Sequence, residues 1–101
     1  MINKVVYSEE ALSHLDRLSD FLVRGVGVSA AAAVVDELLD GFDILKKMPH
    51  IGREHPDPLL ADRGYRVLIL GQYAGVYLVL EETVWIAGVY HTKMDWLAKN
   101  I

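Results

Sequence analysis

The chain contains no cysteine, so disulfide bridges and thiolate chemistry are excluded. Proline is scarce, with 3 residues in 101, and no apolar run approaches the roughly 20 residues that a transmembrane helix needs. The N-terminus becomes acidic at Glu9 and Glu10, which is too early for a signal peptide. These absences favour a cytoplasmic location and no membrane as partner. The length of the chain, near the commonest domain size, predicts a single domain over residues 1–101.

The chain also lacks an excess of basic residues, and its formal net charge is −4. The charge is uneven: residues 1–43 carry 3 basic and 8 acidic side chains, whereas residues 44–101 carry 7 basic and 6 acidic ones. Proteins that bind the phosphates of duplex DNA use a basic face, where counterion release supplies most of the non-specific affinity. We therefore expect no direct binding of duplex DNA by this chain alone.

Apolar side chains, by contrast, are plentiful. Hydrophobic residues make up 52% of the chain, and the mean hydropathy is +0.23. A domain of this size has room for one core and little more. Either that core is large, or part of the apolar surface is meant for a partner.

The first third of the chain predicts a strand followed by a helix. Asn3–Tyr7 is rich in β-branched residues, and Ser8 is a candidate N-cap whose hydroxyl can accept from an amide of the first turn. Apolar residues then recur at spacings of four, three and four, which is one face of a helix. We expect Gly25 and Gly27 to end this helix. The apolar face comprises Ala11, Leu15, Leu18 and Leu22.

A second helix is expected to follow at once. Ser29 is its candidate cap, and Pro49 cannot continue it. The short glycine link between the two helices predicts an antiparallel helical hairpin. The apolar face of the second helix comprises Ala31, Val34, Val35, Leu38, Phe42 and Leu45.

The second half of the chain predicts a small sheet. His50–Gly64 is expected to be a loop, because of its proline, glycine and charge content. Tyr65–Leu70, Tyr73–Leu80 and Val84–His91 are apolar runs joined by links of hairpin length, and they predict a three-stranded antiparallel meander. The order β-α-α-β-β-β, with an N-terminal strand able to pair beside that meander, makes an α+β, two-layer domain.

An ordered set of motifs spans the second half of the chain. It reads Leu45-(x3)-Pro49-(x)-Ile51-Gly52, then Tyr65-Arg66-Val67, then Tyr77, then Ile86-(x2)-Val89-(x)-His91-(x)-Lys93. This arrangement resembles the RelE/ParE superfamily of small bacterial toxins. The resemblance implies the same β-α-α-β-β-β fold and no cofactor. It also implies a toxin of a type II toxin–antitoxin module, neutralised by a cognate antitoxin protein.

Within that superfamily two functions compete. ParE-like members, the plasmid-stabilisation subgroup, bind DNA gyrase and block its cycle without catalysis of their own. RelE-like members are endoribonucleases that cut messenger RNA, commonly on the ribosome. A nuclease of that kind enters a site walled by RNA, which a chain of net charge −4 would enter against like-charge repulsion. The ParE-like function is therefore favoured, with the ribonuclease as the alternative and an inactive homologue that only binds antitoxin as the third possibility.

The resemblance also singles out side chains. In the ribonuclease alternative, His91 is the candidate for proton transfer and Arg66 stabilises charge on the phosphate, with Arg63 as a possible helper. Lys93 stands where the family has arginine. The residues expected to bind the antitoxin or the target are Arg53, Arg63, Arg66, Lys93, Trp96 and Leu97.

A metal site is not expected. Three of the four histidines, His50, His55 and His91, match no standard ligand spacing, and no cysteine is available to complete a set.

Overall fold

The computed structural model of the chain describes Ile2 and residues 4–93, and the tail residues Trp96 and Leu97 lie outside that part. Two antiparallel helices cover one face of a five-stranded sheet. The elements are β1 (Lys4–Tyr7), α1 (Glu9–Val26), α2 (Val28–Asp43), a 3₁₀ turn (Ile44–Lys46), β2 (Arg53–Glu54), α3 (Pro58–Asp62), β3 (Arg66–Leu70), β4 (Tyr73–Leu80) and β5 (Thr83–His91). No helix within the described residues is long and apolar enough to cross a bilayer.

The strand order across the sheet is β1-β5-β4-β3-β2. The predicted meander is confirmed, because β3, β4 and β5 pair antiparallel in sequence order. The N-terminal strand β1 lies beside β5 and runs parallel to it, so the sheet is mixed. The predicted α+β class with its β-α-α-β-β-β order is thus confirmed.

The start of α1 is the predicted one. Ser8 Oγ accepts a hydrogen bond from the Ala11 amide at 3.0 Å and donates one to the Ala87 carbonyl at 3.0 Å. The Ser8 amide also donates to the Ile86 carbonyl. The cap therefore ties the first turn of α1 to the edge of β5, at the point where β1 ends.

The link between the helices is shorter than expected. Gly25 lies inside α1, and Gly27 with φ of +94° is both the end of α1 and the N-cap of α2. One residue in a conformation that favours glycine reverses the chain, so α2 begins at Val28 before Ser29 could cap it. The predicted cap at Ser29 is wrong.

The segment predicted as a loop, His50–Gly64, also contains two short elements. β2 pairs antiparallel with the start of β3, and α3 begins at Pro58. Asp57 caps α3, because its carboxylate accepts from the Leu59 amide at 2.9 Å. The Asp-Pro pair is a local signal for such a start, since proline suits the first position of a helix.

The main core lies between the helices and the sheet. Phe42 of α2 is fully buried and packs edge-on against Tyr7, with ring centroids 6.2 Å apart. Its ring lies over Gly75 of β4, where a Cβ atom would overlap it. A side chain at position 75 is therefore excluded by close approach of α2, which explains a glycine inside an apolar strand.

Candidate functional site

Arg66 opens β3 on the face of the sheet that carries the helices, because it alternates with Leu68 and Leu70, which pack against the main core. Its Nη1 donates to the Gly52 carbonyl at 2.6 Å and, more weakly, to the His50 carbonyl at 3.4 Å. The guanidinium is therefore engaged by backbone of the loop that follows α2.

Tyr77 holds the same loop from the next strand. Its buried hydroxyl donates to the Pro49 carbonyl at 2.8 Å and accepts from the Gly52 amide at 3.0 Å. A Cβ at Gly52 would lie 2.6 Å from that hydroxyl oxygen, so only glycine fits there. We call these four residues, Pro49, Gly52, Arg66 and Tyr77, the loop anchor. Four of the motif positions that are separated in sequence thus form one structural cluster.

His91 lies at the other end of the sheet, at the end of β5. Its Nδ1 accepts from the Lys93 amide at 3.1 Å, which assigns the remaining proton to Nε2. Nε2 then donates to the Gln72 side-chain oxygen at 3.3 Å. The ring also stands edge-on to Tyr73, with centroids 5.3 Å apart. These contacts tie the end of β5 to the turn between β3 and β4.

The register of the strands places the two candidate catalytic residues, Arg66 and His91, far apart. Arg66 pairs with Tyr77 and His91 pairs with Tyr73, so their positions differ by four residues along β4. They also lie on opposite sides of β4, two strand spacings apart. Four residues of strand and two spacings put the two Cα atoms about 16 Å apart. The structure does not bring Arg66 and His91 together around one phosphate group.

The other predicted site residues divide between the same two ends. Arg53 in β2 and Arg63 after α3 are exposed near the start of β3, on the side of the loop anchor. Lys93 is exposed beside His91. The six predicted binding residues therefore form no single described surface, and two of them, Trp96 and Leu97, lie outside the described residues.

His55 is the most deeply buried polar residue of the described chain, with 3% of its surface exposed. Its Nδ1 accepts from the Asp57 amide at 3.0 Å, next to the cap of α3. Burial lowers the pKa of His55 below its ordinary value of 6.5, although the Asp57 carboxylate opposes that shift. The imidazole is therefore held neutral by the fold. In residues 4–93, no group of three histidine or carboxylate side chains is placed to hold a metal ion.

We expect the free energy of unfolding to fall as pH drops through the range below about 6.5. The unfolded chain binds a proton at the ordinary pKa of His55, whereas the folded chain takes it up only at lower pH. Urea unfolding at pH 7.5 and pH 5.5 measures the effect. His55→Gln should flatten this dependence, and the same substitution at the exposed His50 is the matched control. Equal slopes in the wild type and His55→Gln would contradict the assignment.

A further surface was not expected from the sequence patterns. Phe21, Val26 and Val28 are 69%, 61% and 71% exposed at the turn of the helical hairpin, and Val23 is exposed beside them. We call these four residues the hairpin tip. The apolar residues that the sequence singles out for binding are Trp96 and Leu97 in the tail. The signal in the sequence is that Phe21 and Val23 lie outside the apolar stripe of α1, whereas Val26 continues that stripe four residues beyond Leu22.

The outer surface of the hairpin is acidic. α1 and α2 together carry eight carboxylates and two guanidiniums, a net charge of −6, and all ten side chains are exposed. The remaining described cations, apart from Lys4, follow α2, and Lys46 among them pairs with Asp43 at 3.8 Å. The charge asymmetry of the sequence is therefore a charge asymmetry between the helical layer and the sheet.

Comparison with known proteins adds to this geometry. The family model described as "ParE toxin of type II toxin-antitoxin system, parDE" matches residues 5–96. The solved structure titled "Chromosomal ParDE TA system from P. aeruginosa" is similar in fold, with a TM-score of 0.77 at 19% sequence identity. The match covers 92% of this chain and 98% of that one. The search of curated proteins found no match.

Proposed function

The chain belongs to the ParE toxin family of type II toxin–antitoxin systems, and from that premise we propose that it arrests growth by binding DNA gyrase. In this proposal the chain acts as a binding protein and catalyses no reaction itself. A cognate antitoxin neutralises it by direct binding. The proposal implies a cytoplasmic location, because gyrase works there.

The family match supports the toxin function, and the separation of Arg66 from His91 supports the non-catalytic mode of action. A ribonuclease needs its charge-stabilising group and its proton-transfer group around one phosphate. Here the guanidinium of Arg66 is held by backbone carbonyls, while the Cα atom of His91 lies on the far side of β4, about 16 Å from that of Arg66. The exposed acidic helices also disfavour entry into a site walled by RNA.

The purified chain should inhibit supercoiling of relaxed plasmid by gyrase and should leave messenger RNA intact in translating ribosomes. Preincubation with the product of the adjacent antitoxin gene should restore supercoiling, which separates specific inhibition from contamination. His91→Gln should inhibit at a concentration within about twofold of the wild type, because no proton is transferred in this mechanism. The folded state of the variant is checked by thermal melting.

The opposite pattern would overturn the proposal. Loss of a general acid or base lowers an enzymatic rate by about 10²–10⁴. Cleavage of ribosome-bound messenger RNA, with a loss of that size in His91→Gln and no effect on gyrase, would assign the ribonuclease function. A chain that affects neither gyrase nor RNA, but still binds its antitoxin, would be the inactive homologue.

A further inference from the structure

The helical hairpin projects beyond the body of the protein. Leu18 of α1 and Val34 of α2 are the side chains nearest the turn that pack against the main core. The turn at Gly27 is nine residues from the first and seven from the second, or about 13 Å and 10 Å at the rise of an α-helix. The last two to three turns of helix thus stand clear of the sheet and end in the hairpin tip.

The projecting end has an ordered charge pattern. Between Phe21 and Val35 the only charged residue is Arg24, whose Nε donates to the Asp20 carbonyl at 3.3 Å. Exposed carboxylates begin behind that apolar end, at Asp20 on α1 and at Asp36 on α2. Both lie within about 14 Å of Gly27 along their helices. The hairpin is therefore a wedge with an apolar end and acidic flanks.

This shape and charge restrict what can cover the hairpin tip. A convex wedge fits a concave surface, whereas a short segment that folds on binding needs a groove to fill. A second copy of the chain would bring together two hairpins of net charge −6, and an anionic membrane would repel the same flanks. Acidic flanks are instead complementary to lysine and arginine side chains.

Clefts with lysine and arginine walls are what a DNA-processing enzyme presents to the phosphates of its substrate. We propose that the hairpin tip enters such a cleft of the target enzyme, with Phe21, Val26 and Val28 on its apolar floor and the acidic flanks against its basic walls. The inference rests on the proposed function, which makes that enzyme gyrase. It assigns target binding to the hairpin and leaves the rest of the surface to the antitoxin.

Two double variants and two matched controls test this assignment. Phe21→Ser with Val28→Ser should raise the half-inhibitory concentration in the supercoiling assay by about 30-fold or more, as for loss of a central contact of an interface. Leu59→Ser in α3 is the control, because Leu59 is exposed to the same 71% as Val28 but lies far along the chain from the hairpin. Thermal unfolding and calorimetric binding to the antitoxin should be unchanged in both.

The acidic flanks are tested by neutralisation. Asp36→Asn with Glu37→Gln should weaken inhibition and reduce its dependence on salt. Glu81→Gln with Glu82→Gln makes the same change of net charge in the turn between β4 and β5, and it should have neither effect. Linear duplex DNA should compete with the wild-type chain for gyrase.

The outcomes of these experiments distinguish failure of the proposed function from failure of the inference. A wild-type chain without effect on gyrase overturns the proposed function, and the inference with it. A wild-type chain that inhibits, together with a serine variant that inhibits equally well, overturns the inference alone. Loss of antitoxin binding in the serine variant, binding of the tip to anionic vesicles, or binding to gyrase that DNA leaves unaffected would each overturn it too.

Discussion

Phe42→Ala is expected to lower the free energy of unfolding by about 3–5 kcal/mol, as truncation of a buried aromatic ring does. Phe42 is fully buried, packs on Tyr7, and fills the space above Gly75. The glycine offers no side chain that could move into the cavity left behind. Domains of this size have a total stability of about 5–15 kcal/mol, so the change removes a large fraction of it. Urea unfolding followed by tryptophan fluorescence measures the loss.

The chain provides its own control, because its other phenylalanine is the exposed Phe21 of the hairpin tip. Phe21→Ala removes the same atoms and should change the free energy of unfolding by no more than about 0.5 kcal/mol. The two variants should also differ in function, since Phe21→Ala is expected to stay folded and to weaken inhibition of gyrase. Equal stability losses in both would contradict the assignment of the core.

Tyr77→Phe is expected to cost about 2–4 kcal/mol, although it removes a single oxygen atom. That oxygen serves both the Pro49 carbonyl and the Gly52 amide, and each buried group left without a partner costs about 1–3 kcal/mol. Thermal and urea unfolding measure the change. The amide of Gly52 should also lose protection from hydrogen exchange, because its partner is gone.

Tyr73→Phe is the matched control on the same strand. The Tyr73 hydroxyl makes no hydrogen bond within the described part of the chain, while its ring packs against the main core as that of Tyr77 does. We expect its unfolding free energy to change by no more than about 0.5 kcal/mol. A loss of no more than about 0.5 kcal/mol in Tyr77→Phe as well would show that Tyr77 acts through ring packing and not through its hydroxyl. Retained toxicity in folded Tyr77→Phe would confirm that the loop anchor is structural.

The loop anchor also shows that motif positions far apart in the sequence can share a structural role. Three parts of the loop anchor are far apart in the chain: the Pro-x-Ile-Gly motif, the Tyr-Arg motif and Tyr77. Their common role can be recognised only when the pairing of β3 with β4 is known. A cation and a histidine in such a set invite a catalytic interpretation. Once the register is known, the cation of Arg66 is bonded to the Gly52 carbonyl, and His91 lies on another strand at the opposite end.

The sequence by itself determined the local structures. The N-cap at Ser8, the two helices, the reversal at Gly27 and the three strands of the meander all follow from hydrogen bonding and periodicity within a few neighbouring residues. The motif order was also sufficient to indicate the RelE/ParE superfamily, and the net charge of −4 favoured its ParE branch. These features depend on short-range interactions, so one chain is enough to predict them.

Only the tertiary structure decided which residues meet. The pairing of β1 parallel to β5, the distance between Arg66 and His91, and the burial of His55 depend on contacts between segments about 10 to 80 residues apart. Likewise, Val26 and Val28 continue the apolar faces of their helices but are exposed, because α1 and α2 run past the last residues that touch the core. The periodicity of apolar residues predicts which face of a helix is apolar. How far along the helix that face is buried depends on the position of the sheet that packs against it.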